Sequence, residues 1–429
     1  MKSSSFLIAA TNSGCGKTII TVGLLRAMQR RGIHVGAFKC GPDYIDTQYH
    51  QMAAGTESVN LDSRFASKEH LKQVFAHYAK TVNVVEGVMG LFDGYDRHLG
   101  STAEIAAILN IPVVLVINAR SIAYSAAAII HGFKTFRTDI HIAGVIFNQV
   151  GSERHAVFLQ QACRDTQTPC LGCIPRLDQL QMPSRHLGLS LENQQHIQQL
   201  IERAADAVEA HIPIETLLQE TQRTRGKGQG TKDKEQASSS ALRIAVARDS
   251  AFSFTYRENI DRLRQMGNVT FFSPLTDNTI PPDTDLLYLP GGYPEFHLPQ
   301  LSSNHSMKQS IRNHIEQGRR CLAECGGMMY LCTAIIGIDG KRYPMTDILH
   351  QTATLQDMHL HLGYRQWKGH TTQGKAFAFQ GHEFHYSRIL EEDKKTSQSP
   401  TPPIYTYKNL RASYIHLYWG DKNLLQLWE

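Results

Sequence analysis

A chain of 429 residues exceeds what one ordinary hydrophobic core accommodates and suits two domains of about 200 residues each. With 41% hydrophobic and 19% charged residues it has a globular make-up, which excludes a disordered or fibrous chain. The formal net charge of +5 is small and much of the excess falls in residues 223–234, so no nucleic-acid partner is implied; no apolar run reaches the roughly 18 residues that span a membrane.

The apolar part of Phe6-Leu7-Ile8-Ala9-Ala10 is too short for a secretion signal and runs straight into a glycine-rich loop, so it reads as a buried first strand. The eight cysteines follow no disulfide framework, which fits a reducing compartment and places the chain in the cytoplasm. Cys170-Leu171-Gly172-Cys173 is a lone C-x-x-C with neither a second pair nor a histidine nearby in sequence, so packing is the expected role rather than zinc.

Residues 1–205 alternate short apolar runs with helical patterns, as a parallel sheet flanked by helices requires. Strands are expected at 6–10, 34–38, 82–86, 111–118 and 142–148, with a helix over 17–31. Residues 218–240 offer almost nothing apolar to offset the entropy of ordering, which predicts a partly disordered linker within 206–241. A second α/β pattern begins at Arg243-Ile244-Ala245-Val246-Ala247 and defines a domain over 242–429.

Between the first strand and its helix stands Thr11-Asn12-Ser13-Gly14-Cys15-Gly16-Lys17-Thr18. Strand, glycine-rich loop, Lys-Thr and helix together form a phosphate cradle of backbone N–H groups, so Ser13, Gly14, Cys15, Gly16, Lys17 and Thr18 are candidate ATP-binding residues. Lys17 would neutralise phosphate charge and the Thr18 hydroxyl would ligate Mg²⁺. The strict pattern wants glycine where Thr11 stands, so the match is imperfect. Carboxylates follow at strand ends: Asp43 and Asp46 after the second, Glu86 and Asp93 around the third. Open α/β sheets place ligands there, and such oxygens suit Mg²⁺.

Arg320-Cys321-Leu322-Ala323-Glu324-Cys325-Gly326-Gly327 reads as strand, sharp turn and helix, a nucleophile elbow with Cys325 where serine often stands. The helix start is expected to lower the thiol pKa. Gly292, in Pro290-Gly291-Gly292-Tyr293-Pro294-Glu295, and Gly326 are candidate oxyanion-hole donors. The base is open among His416, His382 and His385. The apolar run 412–415 places His416 at a strand end; His385 could instead position a substrate or intermediate.

Four stretches resemble the cobyrinate and hydrogenobyrinate a,c-diamide synthase family: 38–46 (Phe-Lys-Cys-Gly-Pro-Asp-Tyr-Ile-Asp), 86–94 (Glu-Gly-Val-Met-Gly-Leu-Phe-Asp-Gly), Arg185-His186-Leu187-Gly188-Leu189 and Ala323-Glu324-Cys325-Gly326-Gly327. The resemblance covers nearly the whole chain. It implies an α/β protein with an N-terminal P-loop domain similar to dethiobiotin synthetase and a C-terminal class I glutaminase domain. It implies Cys325 as nucleophile and His416 as its base. It further implies that ATP and Mg²⁺ activate a corrin carboxylate as an acyl phosphate, which ammonia from glutamine then attacks, on the a- and c-acetates in turn. Thr18, Glu86 and Asp46 would hold the metal; Asp43, Asp46 and Asp93 would position metal, carboxylate or intermediate. Class I glutaminases carry Glu two residues after the base, and this branch of the family commonly carries a second His; here Tyr418 stands there. The same family amidates other tetrapyrroles, including sirohydrochlorin and its nickel form. Cobyric acid synthase is the nearest rival, but carries a Gln-Asn-Met-type segment where this chain has residues 41–46. A partitioning-type ATPase switch would want a second lysine near Asn12-Ser13 and have no use for Cys325. Homo-oligomerisation is compatible with the sequence.

Overall fold

Buried apolar runs with few charges become strands covered on both faces. In the computed structural model, which describes residues 4–177, 180, 191–222, 242–390 and 402–429, Val113–Ile117 are at most 1% exposed. Each such side chain contributes about 1.5–3 kcal/mol by leaving water. The chain divides into two units, Met1–Asp233 and Lys234–Glu429.

The first unit runs β1 (Ser4–Ala10), α1 (Lys17–Arg30), β2 (Val35–Cys40), α2 (Asp46–Ala54), β3 (Ser58–Leu61), α3 (Lys68–Tyr78), β4 (Val82–Glu86), α4 (Thr102–Leu109), β5 (Val113–Asn118), α5 (Ala126–Thr135), β6 (Ile142–Val150), α6 (Glu153–Asp165), β7 (Cys170–Pro175), α7 (Leu191–His211) and α8 (Ile214–Gln222). Among the described residues its seven strands pair in the order β3-β2-β4-β1-β5-β6-β7, all parallel. The chain leaves β1 toward one edge and returns to β5 on its other side, so the loop after β1 opens where the strand order reverses.

Two sequence expectations change here. The first unit does not end at 205, because α7 and α8 continue to Gln222 and bury Ala204, Ala205, Val208, Leu217 and Leu218. The Thr221 hydroxyl even meets that of Ser4 at 3.0 Å. The remainder of the expected linker, 223–241, and the motif 185–189 lie outside the described residues. Cys170 and Cys173 are half-buried on β7, their sulfurs 3.9 Å apart, so they are not core residues.

The second unit runs β8 (Leu242–Ala247), α9 (Arg257–Met266), β9 (Gly267–Phe272), β10 (Leu286–Leu289), α10 (Leu298–Ser303), α11 (His305–Glu316), β11 (Arg320–Glu324), α12 (Gly326–Leu331), β12 (Cys332–Ile336), β13 (Arg342–Pro344), β14 (Leu349–Thr354), β15 (His361–His370), β16 (Ala376–His385), β17 (Arg388–Ile389), β18 (Tyr405–Tyr407), β19 (Leu410–Ser413) and β20 (Ile415–Tyr418). The larger sheet has the order β18-β19-β11-β10-β8-β9, and only its β18–β19 pair is antiparallel. Beside it lie a β13-β12-β14-β17 sheet and a β15-β16-β20 sheet.

The run 412–415 is not one strand. The chain leaves the large sheet after Ser413 and re-forms as β20 against β16, with His416 opposite His382. His416 is therefore inside a strand of a different sheet.

Candidate active sites

In the first unit, left-handed backbone makes the phosphate loop. Gly16 caps α1 at φ 94°, and the Asn148 amide lies against the face where a Cβ would stand while donating to the Cys15 carbonyl at 2.9 Å. No other residue type suits position 16 without displacing Asn148. Lys17 reaches the Met89 carbonyl at 2.5 Å, and burial, then the nearby Lys39, pulls its pKa below the ordinary value.

Behind the loop the carboxylates converge. The Thr18 hydroxyl donates to Glu86 at 2.7 Å and lies 3.5 Å from Asp46. Lys39, paired in register with Glu86 across β2 and β4, donates to Asp46 at 2.7 Å and Glu86 at 2.9 Å. His50 Nε2 meets the other Glu86 oxygen at 2.6 Å. Burial opposes the charges, but the ion pairs outweigh it: Glu86 stays below the usual carboxylate range and Lys39 above the usual lysine value. Thr18, Lys39, Asp46 and Glu86 line a cavity of about 700 Å³ with Ser13, Gly14, Gly16 and Lys17, and Asn118, Arg120, Asn148 and Arg176 also line it, whereas His50 stands behind Glu86. Oxygen donors from Thr18, Asp46 and Glu86 suit a hard divalent cation.

Asp43 and Asp93 do not line this cavity. Asp43 Oδ1 accepts from the N–H groups of Ile45 and Asp46, so it caps the turn into α2; Asp93 accepts from Gly90 N–H at 3.0 Å. Both hold loops that carry cavity residues. The sequence reading assigned no role to Lys39 or His50.

In the second unit Cys325 has φ 45° and ψ −106°, a strained conformation for a non-glycine residue. Its N–H donates to the Ser413 carbonyl at 2.8 Å, where the chain changes sheets, which anchors the elbow to the strand before His416. A Cβ added to Gly326 would lie 3.3 Å from Gly292 N, so the two candidate oxyanion donors are neighbours. A pocket of only about 20 Å³ adjoins the thiol, lined by residues including Gly292, Glu295, Phe384, His385 and Ser387. The expected lowering of the thiol pKa is not found. Burial, reinforced by the Glu295 carboxylate, raises it despite the Gly326 N–H. Burial also raises Glu295 to about 7.

His385 lines this pocket, but both its ring nitrogens are engaged, Nδ1 with the Ser387 carbonyl and Nε2 with Glu383, each at 2.8 Å. His416 is 1% exposed and packs against Gly291, where an added Cβ would lie 3.0 Å from Nδ1. Its Nδ1 lies 4.0 Å from Glu324, the residue preceding Cys325. Glu324 is held by the Tyr288 hydroxyl at 2.8 Å and Leu417 N–H at 3.0 Å. Tyr418 does not face this group; its hydroxyl donates to Glu258. Burial, then His382 and His385, pulls the His416 pKa down to about 3, while burial raises Glu324 to about 8.

A nucleotide-binding domain followed by a glutamine amidotransferase domain defines the class, a glutamine-dependent amide-forming ligase. Residues 6–189 match the CobQ/CobB/MinD/ParA nucleotide binding domain, and residues 243–424 the CobB/CobQ-like glutamine amidotransferase domain. The chain is 37% identical over 427 residues to the cobyrinate a,c-diamide synthase of Picrophilus torridus, covering 97% of this chain and 96% of that protein. It is 38% identical to the hydrogenobyrinate a,c-diamide synthase of Brucella anthropi, covering 91% and 90%, and 38% identical to the cobyrinate enzyme of Listeria innocua, covering 96% and 95%. The chain belongs to the cobyrinate and hydrogenobyrinate a,c-diamide synthase family. No helix among the described residues is long and apolar enough to cross a membrane.

Proposed function

We propose that this chain converts the a- and c-acetate carboxylates of cobyrinate, or of its metal-free counterpart hydrogenobyrinate, into carboxamides during cobalamin biosynthesis in the cytoplasm. The supporting observation is that one chain carries both a cavity with Lys17, Thr18, Asp46 and Glu86 and a strained Cys325 beside Gly292 and Gly326.

In the second unit the Cys325 thiol attacks the glutamine amide carbon, and its proton passes through His416 to the leaving nitrogen. Ammonia departs, and water then cleaves the thioester to glutamate. The N–H groups of Gly292 and Gly326 stabilise the oxyanion. His416 is neutral at pH 7, as a proton acceptor must be. In the first unit Lys17 and the loop N–H groups bind the triphosphate. Thr18, Asp46 and Glu86 would hold Mg²⁺, which would neutralise phosphate charge. A carboxylate oxygen attacks the γ-phosphorus, giving acyl phosphate and ADP, because a carboxylate at neutral pH is too poor an electrophile for ammonia. Ammonia then displaces phosphate to leave the amide. A substrate labelled with ¹⁸O in its carboxylates tests this: label is expected in the released phosphate, and unlabelled phosphate would contradict an acyl phosphate.

His416→Asn is expected to slow alkylation of Cys325 by iodoacetamide near pH 7, since less thiolate forms, and to lower glutaminase activity while sparing synthesis from ammonium salt. The same phenotype from His385→Asn, with His416→Asn unaffected, would move the base to His385. Glu324 titrates near pH 8 and faces His416, so its ionisation should stabilise the imidazolium. Glutaminase kcat/KM is therefore expected to rise through about pH 8 and to lose that rise in Glu324→Gln, with ammonia-dependent synthesis unchanged. A rise that survives the substitution would assign it to another group.

A further inference from the structure

The hairpin β15–β16 carries a second constellation that the glutaminase chemistry leaves unused. His361 pairs directly with His385 across the two strands, and Glu383 stands two residues from His385 on the same face. The candidate donor atoms of His361, Glu383 and His385 all lie within 4.8 Å of one another. Two imidazoles and a carboxylate on a rigid hairpin form an N₂O donor set, which suits zinc and the neighbouring divalent transition metals.

The hydrogen bonds around these groups point the same way. The Ser387 carbonyl can only accept, so His385 Nδ1 carries the hydrogen of that 2.8 Å contact. His385 Nε2 faces a Glu383 oxygen at 2.8 Å, so the two candidate donor atoms already point at each other. Arg365 donates to the other Glu383 oxygen at 2.6 Å, and Tyr414 stacks on the His385 ring at 3.6 Å between centroids. Both buried donors are thus oriented by outer partners, as metal ligands commonly are. The third, His361, is exposed and so open to an ion arriving from solvent.

We propose that His361, Glu383 and His385 form a binding site for a divalent transition-metal ion, zinc being the best match. The ion takes its place between Glu383 and His385, and any proton they share leaves to solvent. Three protein donors leave a fourth position for water. Phe384, between two of the ligands, accepts from the Cys325 thiol at 3.8 Å, and Phe384 and His385 both line the thiol pocket. A filled site therefore restrains the strand that walls this pocket and slows glutamine hydrolysis. That consequence rests on the proposed glutaminase role of Cys325, whereas the binding itself does not.

Titration of the full chain with Co²⁺ in excess Mg²⁺ tests the site, Mg²⁺ occupying oxygen-only sites. One equivalent is expected to give visible d–d bands without the intense near-ultraviolet band of thiolate ligation, which separates this site from Cys325 and from the Cys170–Cys173 pair. His361→Ala, at an exposed position, is expected to weaken binding by about tenfold or more, and Glu383→Gln likewise. Absence of stoichiometric binding, a thiolate band, or unchanged affinity in both variants would overturn the proposal. Zinc at one equivalent is expected to inhibit glutamine-dependent synthesis in the unsubstituted protein and to spare ammonia-dependent synthesis. A filled site with unaltered glutaminase activity would refute the link to the thiol pocket.

Discussion

Cys325→Ala is expected to lower glutamine-dependent synthesis by about 10³-fold or more, because no other thiol stands on the elbow to accept the acyl group. Added ammonium salt is expected to restore amide formation to near the level the unsubstituted protein reaches with ammonia. The reason is spatial: Lys17, Thr18, Asp46 and Glu86 belong to the first unit, and Cys325 to the second. Parallel assays with glutamine and with ammonium salt measure the split. A folded Cys325→Ala protein inactive with both donors would refute the division of labour.

Glu86→Gln is expected to reduce ATP-dependent turnover by about 10²-fold or more with either nitrogen donor. Glu86 is fully buried and is the common partner of Thr18, Lys39 and His50. An amide keeps the shape but removes the charge that balances Lys39 and would hold a cation. It also presents an N–H₂ group to a lysine or to a histidine proton. Glutaminase activity measured without ATP should remain, since Cys325 is in the other unit. Unchanged turnover at limiting Mg²⁺ would demote Glu86 to a structural strand-end residue.

These expectations were unevenly legible in the sequence. The phosphate loop is local: eight consecutive residues between a strand and a helix, and the structure puts most of them around one cavity. Thr18 and Glu86 follow from the rule that ligands gather at the carboxyl ends of parallel strands. Lys39 stood in plain view two residues before Gly41, yet its pairing with Glu86 depends on the parallel register of β2 and β4, which no local pattern encodes. Glu324 carries no local sign of a role. It meets His416 only because the chain changes sheets between Ser413 and Ile415, which an unbroken apolar run conceals. The thiol pKa was misread for a related reason: the motif shows the helix start, while the burial and Glu295 that outweigh it come from distant segments. The end of the first unit is misplaced because the apolar-poor stretch read at 218–240 extends the expected linker back to 206, although Val208, Ile212, Ile214, Leu217 and Leu218 are buried.

The central claim is that a corrin carboxylate becomes an amide twice, at the expense of ATP and glutamine. Mass spectrometry of cobyrinate and hydrogenobyrinate, each incubated with the protein, ATP, Mg²⁺ and glutamine, tests it most directly. The expected product of one or both has two hydroxyl groups replaced by amino groups, and omission of ATP abolishes both replacements. Recovery of both tetrapyrroles unchanged, while sirohydrochlorin or its nickel form gains the amides, would contradict the assignment.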